Sequence, residues 1–316
     1  MTFNKAPRDE LPITPKLSEI CQTLINTHRL VLSAEPGAGK STQVPLALLA
    51  EPGFGQQQII LLEPRRVAVK ALATHLASCL GEPVGKTVGY QVRNDTKCGP
   101  KTRLLVVTEG ILTRKIQSDP ELKGVACVIF DEFHERSVHA DLGLLLCREI
   151  QQGLREDLAV LVMSATLDTA QVSDYLGGAP VITCEGRMYP VAYHYQPLLA
   201  DRPLIPQVGQ LIAKELNNTS GDILVFLAGQ SEIRRLLQWC EDSIDTRVEC
   251  LPLYGAMALN AQQRLLQPSQ SGRQRVILAT NIAQTSLTIP NITSVIDMGF
   301  HKLAHFDIKS GLTRLV

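Results

Sequence analysis

The sequence predicts an α/β protein made of two open, parallel-sheet units in tandem, and three observations carry that expectation. Short apolar runs recur along the chain and are too continuous for strands with one wet face. Longer segments with helical spacing separate them, the alternation expected of strand–helix–strand crossovers. The texture then changes at about 185 to 205, where EGRMYPVAYHYQPLLADRP clusters tyrosines and prolines, and the alternation restarts beyond it.

In chain order, the expected strands of the first unit are RLVLSA (29–34), QIILLE (58–63), RLLVVT (103–108), VACVIF (125–130) and LAVLVMSA (158–165). Between them, STQVPLALLA (41–50), RRVAVKALATHLASCL (65–80) and ADLGLLLCREIQQGL (140–154) have helical periodicity. The second unit is expected to hold a helix near 205–217, a strand DILVFLA (222–228), a helix SEIRRLLQWCED (231–242), and strands at 248–255, 275–280 and 293–300. The expected domains are residues 1–188 and 189–316. The second is expected to be incomplete, because Val316 falls in the middle of the alternation.

Composition narrows the class without naming an activity. At 316 residues the chain has material for two cores. Lysine plus arginine equals aspartate plus glutamate at 31 each, so net charge argues neither for nor against a polyanionic partner. No apolar run is long enough for a membrane-spanning helix, and the polar, proline-punctuated MTFNKAPRDELPITPK lacks the apolar core of a signal peptide. The eight cysteines include no CxxC pair, and Cys127, Cys147 and Cys184 sit inside apolar runs. Reduced, buried thiols and a cytoplasmic location are the expectation.

The first strand runs into AEPGAGKST (34–42), in which Gly39, Lys40 and Ser41 fill the last three fixed places of a phosphate-binding G-x-x-x-x-G-K-[ST] loop. Such a loop curls its N–H groups around a phosphate and opens a helix whose N-terminus favours negative charge. Glu35, Pro36, Gly37, Ala38, Gly39, Lys40, Ser41 and Thr42 are therefore the candidate nucleotide-binding residues. Lys40 would bridge the outer phosphates and Ser41 would ligate magnesium. Ala34 stands where the first glycine is usual, which costs little unless that position needs positive φ. A Gly-rich turn without a ligand is the bland alternative. The strand before and the helix after favour nucleotide binding.

A second strand ends in VIFDE. Asp131 at such a tip would meet magnesium opposite Ser41, and Glu132 would orient and deprotonate an attacking water. Ser41, Asp131 and Glu132 are the candidate magnesium-site residues. Taken alone, Asp131 and Glu132 also read as ordinary caps of the helix that follows. SVHADLGLLL reads as an amphipathic packing helix.

With these two features in hand, the sequence resembles the DEAH-box group of superfamily 2 RNA helicases. EPRRVAVKAL (63–72) is similar to motif Ia, VGYQVR (88–93) to the segment after it, and TEGIL (108–112) to motif Ib. DEFH (131–134) takes the place of DEAH and SAT (164–166) that of motif III. FLAGQSEI (226–233) resembles motif IV, ATNIAQTSLTIP (279–290) motif V, and 295–316 the β-hairpin segment after it. DEFHER points to the bacterial HrpB-type branch.

The resemblance implies two RecA-like P-loop NTPase domains, with ATP in the cleft between them and single-stranded RNA across their top. It assigns hydrolysis to Lys40, Ser41, Asp131 and Glu132, with His134 linking motif II to motif III. Ser164 and Thr166 would couple nucleotide state to domain movement. His75 aligns with an arginine that often stacks on the adenine, and Thr288 would approach the ribose. Expected RNA contacts are Arg65, Arg66, Arg93, Thr108, Glu109 and Gly110 in the first unit. In the second they are Gly229, Gln230, Ser231, Thr280 and Asn281, used mainly on phosphates.

Departures from the family pattern are Gln284 for a glutamate in motif V, Pro290 for an acidic residue, and His75 itself. Motif VI would follow the hairpin, and the chain ends before it. The expectation is therefore an N-terminal piece of a longer helicase that binds ATP or ADP weakly and hydrolyses slowly. A DNA-directed helicase or translocase of the same superfamily, and a non-catalytic nucleotide-gated scaffold, are the alternatives.

Overall fold

The structure is a computed structural model that describes residues 11–165, 169–186, 190–199, 201–269, 271–284, 289–300, 302 and 304–315. The chain forms two compact units, Met1–Val191 and Ala192–Val316.

The first unit contains, in order, α1 (Leu17–Thr27), β1 (Arg29–Ala34), α2 (Lys40–Ala50), β2 (Gln58–Leu62), α3 (Arg66–Cys79), β3 (Val88–Val92) and β4 (Asp95–Lys97). There follow β5 (Leu104–Val107), α4 (Glu109–Ser118), β6 (Val125–Phe130), α5 (Val138–Gly153), β7 (Ala159–Ser164), α6 (Thr169–Tyr175) and β8 (Val181–Cys184). Its sheet has the order β4-β3-β5-β2-β6-β7-β1-β8. Every pairing is parallel except β3 with β4. That exception departs from the parallel expectation and has a local cause. Arg93 and Asn94 make a two-residue turn with Asn94 at φ +65°, which folds the chain back on itself at the sheet's edge.

The continuous apolar runs are explained by helices on both faces of this sheet. Leu30, Leu32, Ile59, Leu61, Val106 and Ile129 pack on one face with α1, α2 and α3. Their immediate neighbours Val31, Ile60, Leu62, Val107, Val128 and Phe130 pack on the other with α4, α5 and α6. Alternation along each strand therefore sends apolar side chains into two different cores.

The second unit contains α7 (Leu204–Leu216), β9 (Asp222–Phe226), α8 (Gln230–Ser243), β10 (Glu249–Leu253), α9 (Leu259–Leu265), β11 (Arg275–Ala279) and β12 (Ile292–Asp297). These strands form a parallel sheet of order β10-β11-β9-β12. An antiparallel hairpin of β13 (Ala304–Asp307) and β14 (Leu312–Leu315) follows. It lies where the sequence resemblance places one. Under the sheet, Asp222 and Arg275 form a buried ion pair at 2.6 Å, and the Arg275 guanidinium also donates to the carbonyls of Leu265, Gln267 and Pro290.

The expected strands are present, 29–34 and 125–130 at full length and the others with shifted or shorter bounds, Glu63, Thr108 and Thr280 lying just beyond strand ends. The expected elements did not include α1, α4, α6, α9, β3, β4 or β8, of which α6, α9, β4 and β8 are short. The helix after VIFDE begins at Val138, two residues before the expected 140. Ser137 is its cap, accepting from the Ala140 N–H at 2.9 Å, so Asp131 and Glu132 are not helix caps. α5 packs through Ala140, Leu144, Cys147 and Ile150, while Val138, Leu142 and Leu145 are open to solvent.

Candidate active site

Parallel strands place all their carboxyl ends on one edge of a sheet, and loops at that edge are where α/β folds bind ligands. In the first unit β1 leads into residues 35–39, β7 into 165, β6 into 131–137, β2 into 63–65, β5 into Thr108 and β3 into Arg93. The sheet order therefore separates two groups. The phosphate loop, Ser164 and the two carboxylates follow the adjacent strands β1, β7 and β6, while the first-unit RNA candidates follow β2, β5 and β3. The loop after β6 lies at the border of the two.

The phosphate loop has the backbone its role requires. Gly37 and Gly39 adopt φ of +78° and +94°. A Cβ on Gly39 would lie 2.8 Å from Leu11 Cδ1, so both conformation and packing exclude a side chain there. Ala34 is the buried last residue of β1 with ordinary strand geometry, paired in register with Cys184, so the usual glycine is not needed. The Ile13 N–H donates to Ala38 O at 3.0 Å, and the Gly186 N–H donates to Glu35 Oε2 at 3.1 Å, pinning the loop from both sides. Lys40 opens α2 and Ser41 and Thr42 occupy its first turn, where amides have no intrahelical acceptor. Pro36 and Gly37 are exposed at the loop's tip.

Lys40 is buried, and its Nζ lies 3.1 Å from Glu132 Oε1. The structure thus brings together two groups 92 residues apart. Asp131 is also buried. Its Oδ1 accepts from the Glu132 N–H at 2.8 Å, while its Oδ2 has no hydrogen-bond partner. Burial pushes the Asp131 carboxyl up to about 6, with Lys40 opposing, the adjacent Glu132 charge adding, and the Ser41 hydroxyl opposing again. A buried carboxylate with one oxygen lacking a donor is what a cation ligand looks like before it meets its ion. Among the described residues no cluster of three His, Cys, Asp or Glu forms a ready-made metal site.

Glu132 has φ +50° and Arg136 φ +45°, and between them Phe133–Glu135 make a 3-10 turn. This turn carries His134, whose Nδ1 lies 3.5 Å from Glu132 Oε2 without making a hydrogen bond. Ser164 is fully buried at the end of β7. Thr166 and Thr288 lie outside the described residues. His75 is exposed on α3, its Nε2 3.6 Å from Cys79 Sγ, and no hydrogen bond or ion pair joins it to the phosphate loop.

Among the nucleic-acid candidates, Arg65 caps α3 and pairs with Glu135 at 3.6 Å. Arg66 is exposed in the first turn of that helix, and Arg93 is exposed at the β3–β4 turn. Thr108 precedes α4, Glu109 and Gly110 begin it, and the Ser137 hydroxyl donates to Glu109 Oε2 at 2.5 Å. Burial raises the Glu109 pKa, with the Ser137 bond opposing. In the second unit Gly229 precedes α8, and Gln230 and Ser231 open it. A Cβ on Gly229 would meet Lys302 Nζ at 2.8 Å, and Lys302 pairs with Glu232 at 3.4 Å. Thr280 and Asn281 follow β11, whose Ala279 is in register with Phe226 of β9, so both groups share the carboxyl edge of that sheet.

Sequence reasoning missed Glu135 and Ser137. Their only signal was their place in DEFHERS, directly after the carboxylates. It also missed a brace beneath Arg93, in which Lys70 pairs with Asp95, Tyr90 donates to Asp95 at 3.3 Å, and Lys70 lies over the Tyr90 ring. The three come from three elements, α3, β3 and β4, that the one-dimensional pattern does not connect.

All eight cysteines are free thiols, and burial raises the pKa of Cys127 and brings Cys147 up to about 12. No helix among the described residues is long and apolar enough to cross a membrane.

Comparison with known proteins agrees with this arrangement. The DEAD/DEAH box helicase family matches residues 14–175, and the helicase conserved C-terminal domain matches residues 205–310. The chain is 49% identical over 306 residues to the ATP-dependent RNA helicase HrpB of Escherichia coli, covering 97% of this chain and 38% of that protein. It is 38% identical over 322 residues to the human ATP-dependent RNA helicase DHX33, covering 96% of this chain and 45% of that one. A crystal structure of the Escherichia coli DEAH/RHA helicase HrpB superimposes with a TM-score of 0.90 at 49% identity, over 97% of this chain and 39% of the other. The chain therefore spans less than half the length of these relatives. On the span of the match and the motifs it contains, the chain belongs to the DEAD/DEAH box helicase family.

Proposed function

We propose that this chain is the nucleotide-hydrolysing core of an ATP-dependent RNA helicase of the HrpB type, working on single-stranded RNA in the cytoplasm. The observation that supports this reading most is the meeting of Lys40 and Glu132 at 3.1 Å beside the buried Asp131, on the edge of a sheet whose neighbouring strands carry the RNA candidates. The 49% identity to a protein named an ATP-dependent RNA helicase supports it independently.

In this reading the 35–42 loop and the start of α2 hold the phosphates, and Lys40 exchanges part of its contact with Glu132 for the terminal phosphoryl oxygens. Glu132, left beside the reacting centre, accepts a proton from the attacking water, whose oxygen bonds the terminal phosphorus as the bond to the diphosphate breaks. The residues fit a magnesium ion, since Asp131 Oδ2 is buried without a donor and Ser41 faces it. When bound, magnesium would neutralise charge on the phosphate oxygens. His134, on the turn after Glu132, would link this segment to SAT, and Ser164 at the end of β7 would transmit nucleotide state. RNA is gripped on its phosphates by Arg65, Arg66 and Arg93, and by the amide edges at Thr108–Gly110 and at Thr280 and Asn281.

The test is ATP turnover by the whole protein with single-stranded RNA and single-stranded DNA of one sequence in competition. Stimulation by RNA that DNA does not match is expected. Equal stimulation would favour the DNA-directed alternative. A Glu132→Gln variant that kept full turnover would favour the scaffold.

A further inference from the structure

The loop after β6 is anchored at both ends to different chemistry. At its start Glu132 contacts Lys40 at 3.1 Å, and Asp131 lies buried beside them. At its end Glu135 pairs with Arg65 at 3.6 Å, and the Ser137 hydroxyl donates to Glu109 at 2.5 Å. Arg65 and Glu109 belong to the two segments expected to grip RNA phosphates and sugars. Between the anchors the chain is a single short turn, closed by the Glu135 N–H donating to Glu132 O at 2.9 Å and the Arg136 N–H donating to Phe133 O at 3.2 Å.

We propose that residues 132–137 form the link by which RNA contact in the first unit sets hydrolytic competence, with Glu135 and Ser137 as its positioning residues. The Arg65–Glu135 and Glu109–Ser137 contacts hold the turn in a restrained position, and RNA releases it by competing for Arg65 and Glu109. This rests on the reading of the chain as an RNA-stimulated ATPase.

Three physical features support the link. The turn is bounded by two non-glycine residues at positive φ, Glu132 at +50° and Arg136 at +45°, a conformation that side chains disfavour, so its position depends on the contacts that hold it. The Glu135–Glu132 hydrogen bond makes the turn one body, so a displaced Glu135 carries Glu132 with it. Neither anchoring pair is fully buried. Arg65 and Glu135 side chains are 24% and 20% exposed, which leaves the guanidinium within reach of a phosphate that binds it more strongly.

Removing a restraint should therefore raise turnover without RNA and leave turnover at saturating RNA unchanged. In Glu135→Gln the stimulation ratio is expected to fall about five- to tenfold through the RNA-free value. Ser137 is tested by two substitutions that both keep the helix cap. Ser137→Asp repels Glu109 and should raise RNA-free turnover, whereas Ser137→Asn can still donate to Glu109 and should behave as the native residue. The measurements are ATP turnover with and without oligouridylate, oligouridylate affinity by fluorescence anisotropy, and melting temperature, all on the whole protein.

An unchanged ratio in both Glu135→Gln and Ser137→Asp would overturn the proposal. So would a ratio that falls because RNA-saturated turnover or RNA affinity collapses, since that is what a merely structural role predicts. If Glu135→Gln fails to fold, the Ser137 pair decides alone. A native protein that oligouridylate does not stimulate would overturn the functional reading and the link with it, whereas intact stimulation in the variants would overturn the link only.

Discussion

Lys40 and Glu132 meet at 3.1 Å although 92 residues separate them. In the proposed role of Glu132 as base, Glu132→Gln keeps the shape and hydrogen-bonding capacity but removes the base, so turnover should fall by about 10²–10⁴-fold with nucleotide affinity preserved, as read by steady-state hydrolysis and equilibrium binding. Asp131 carries a different burden, an ionisable group deep in the fold with one oxygen lacking a donor. Its folded pKa, pushed up to about 6, lies above the ordinary value of 3.8. The folded protein therefore binds more protons than the unfolded chain between these values. The resulting stability is fully present below about pH 4 and is lost as pH rises through about 6. Asp131→Asn should flatten that slope and raise the melting temperature near pH 7.5 by about 2–4 °C in nucleotide-free protein, while abolishing magnesium-dependent nucleotide binding. Thermal melts across pH, with and without magnesium and nucleotide, check both halves of the expectation.

At the scale of elements, the phosphate loop and the start of α5 are the places where backbone geometry decides function. Gly39→Ala would force a left-handed alanine at φ +94° and press its Cβ against Leu11 and Ile13. The backbone alone costs about 1–2 kcal/mol, so a fall in melting temperature of several degrees and loss of nucleotide binding are expected together. The loop's glycines were legible from the string because a phosphate loop has a fixed spacing. The start of α5 was legible to within two residues, at 140 against Val138, but its cap was not: the turn between two positive-φ residues separates Asp131 and Glu132 from the helix and gives the cap to Ser137.

For the molecule as a whole, the two units have separate cores, and a lesion in one should leave the other's core intact. The Asp222–Arg275 pair tests this. Both side chains are almost fully buried, and Arg275 ties together carbonyls from two segments of the second unit, the end of α9 and Pro290. Asp222→Ala leaves the guanidinium buried without its counter-charge, which should cost about 3–5 kcal/mol. Hydrogen exchange should show lost protection in β9, β11 and β12 while the strands of the first unit keep theirs. Equal loss in both would mean that the cores are not independent.

What could be read from the string was whatever depends on local spacing. Continuous apolar runs announced strands buried on both faces, fixed motif spacings announced the phosphate loop and the acidic strand end, and their order along the chain announced the family. Tertiary structure decided what depends on strand order. A string lists β1, β2, β5, β6 and β7 in sequence, but the sheet seats β7 between β1 and β6, and seats β2 against the far side of β6. That arrangement brings Lys40 to Glu132 across 92 residues and sets the loop after β6 between the proposed hydrolytic and proposed nucleic-acid groups. The physical reason is that strand pairing is chosen by burial over the whole sheet, whereas sequence periodicity reports only which faces each strand buries.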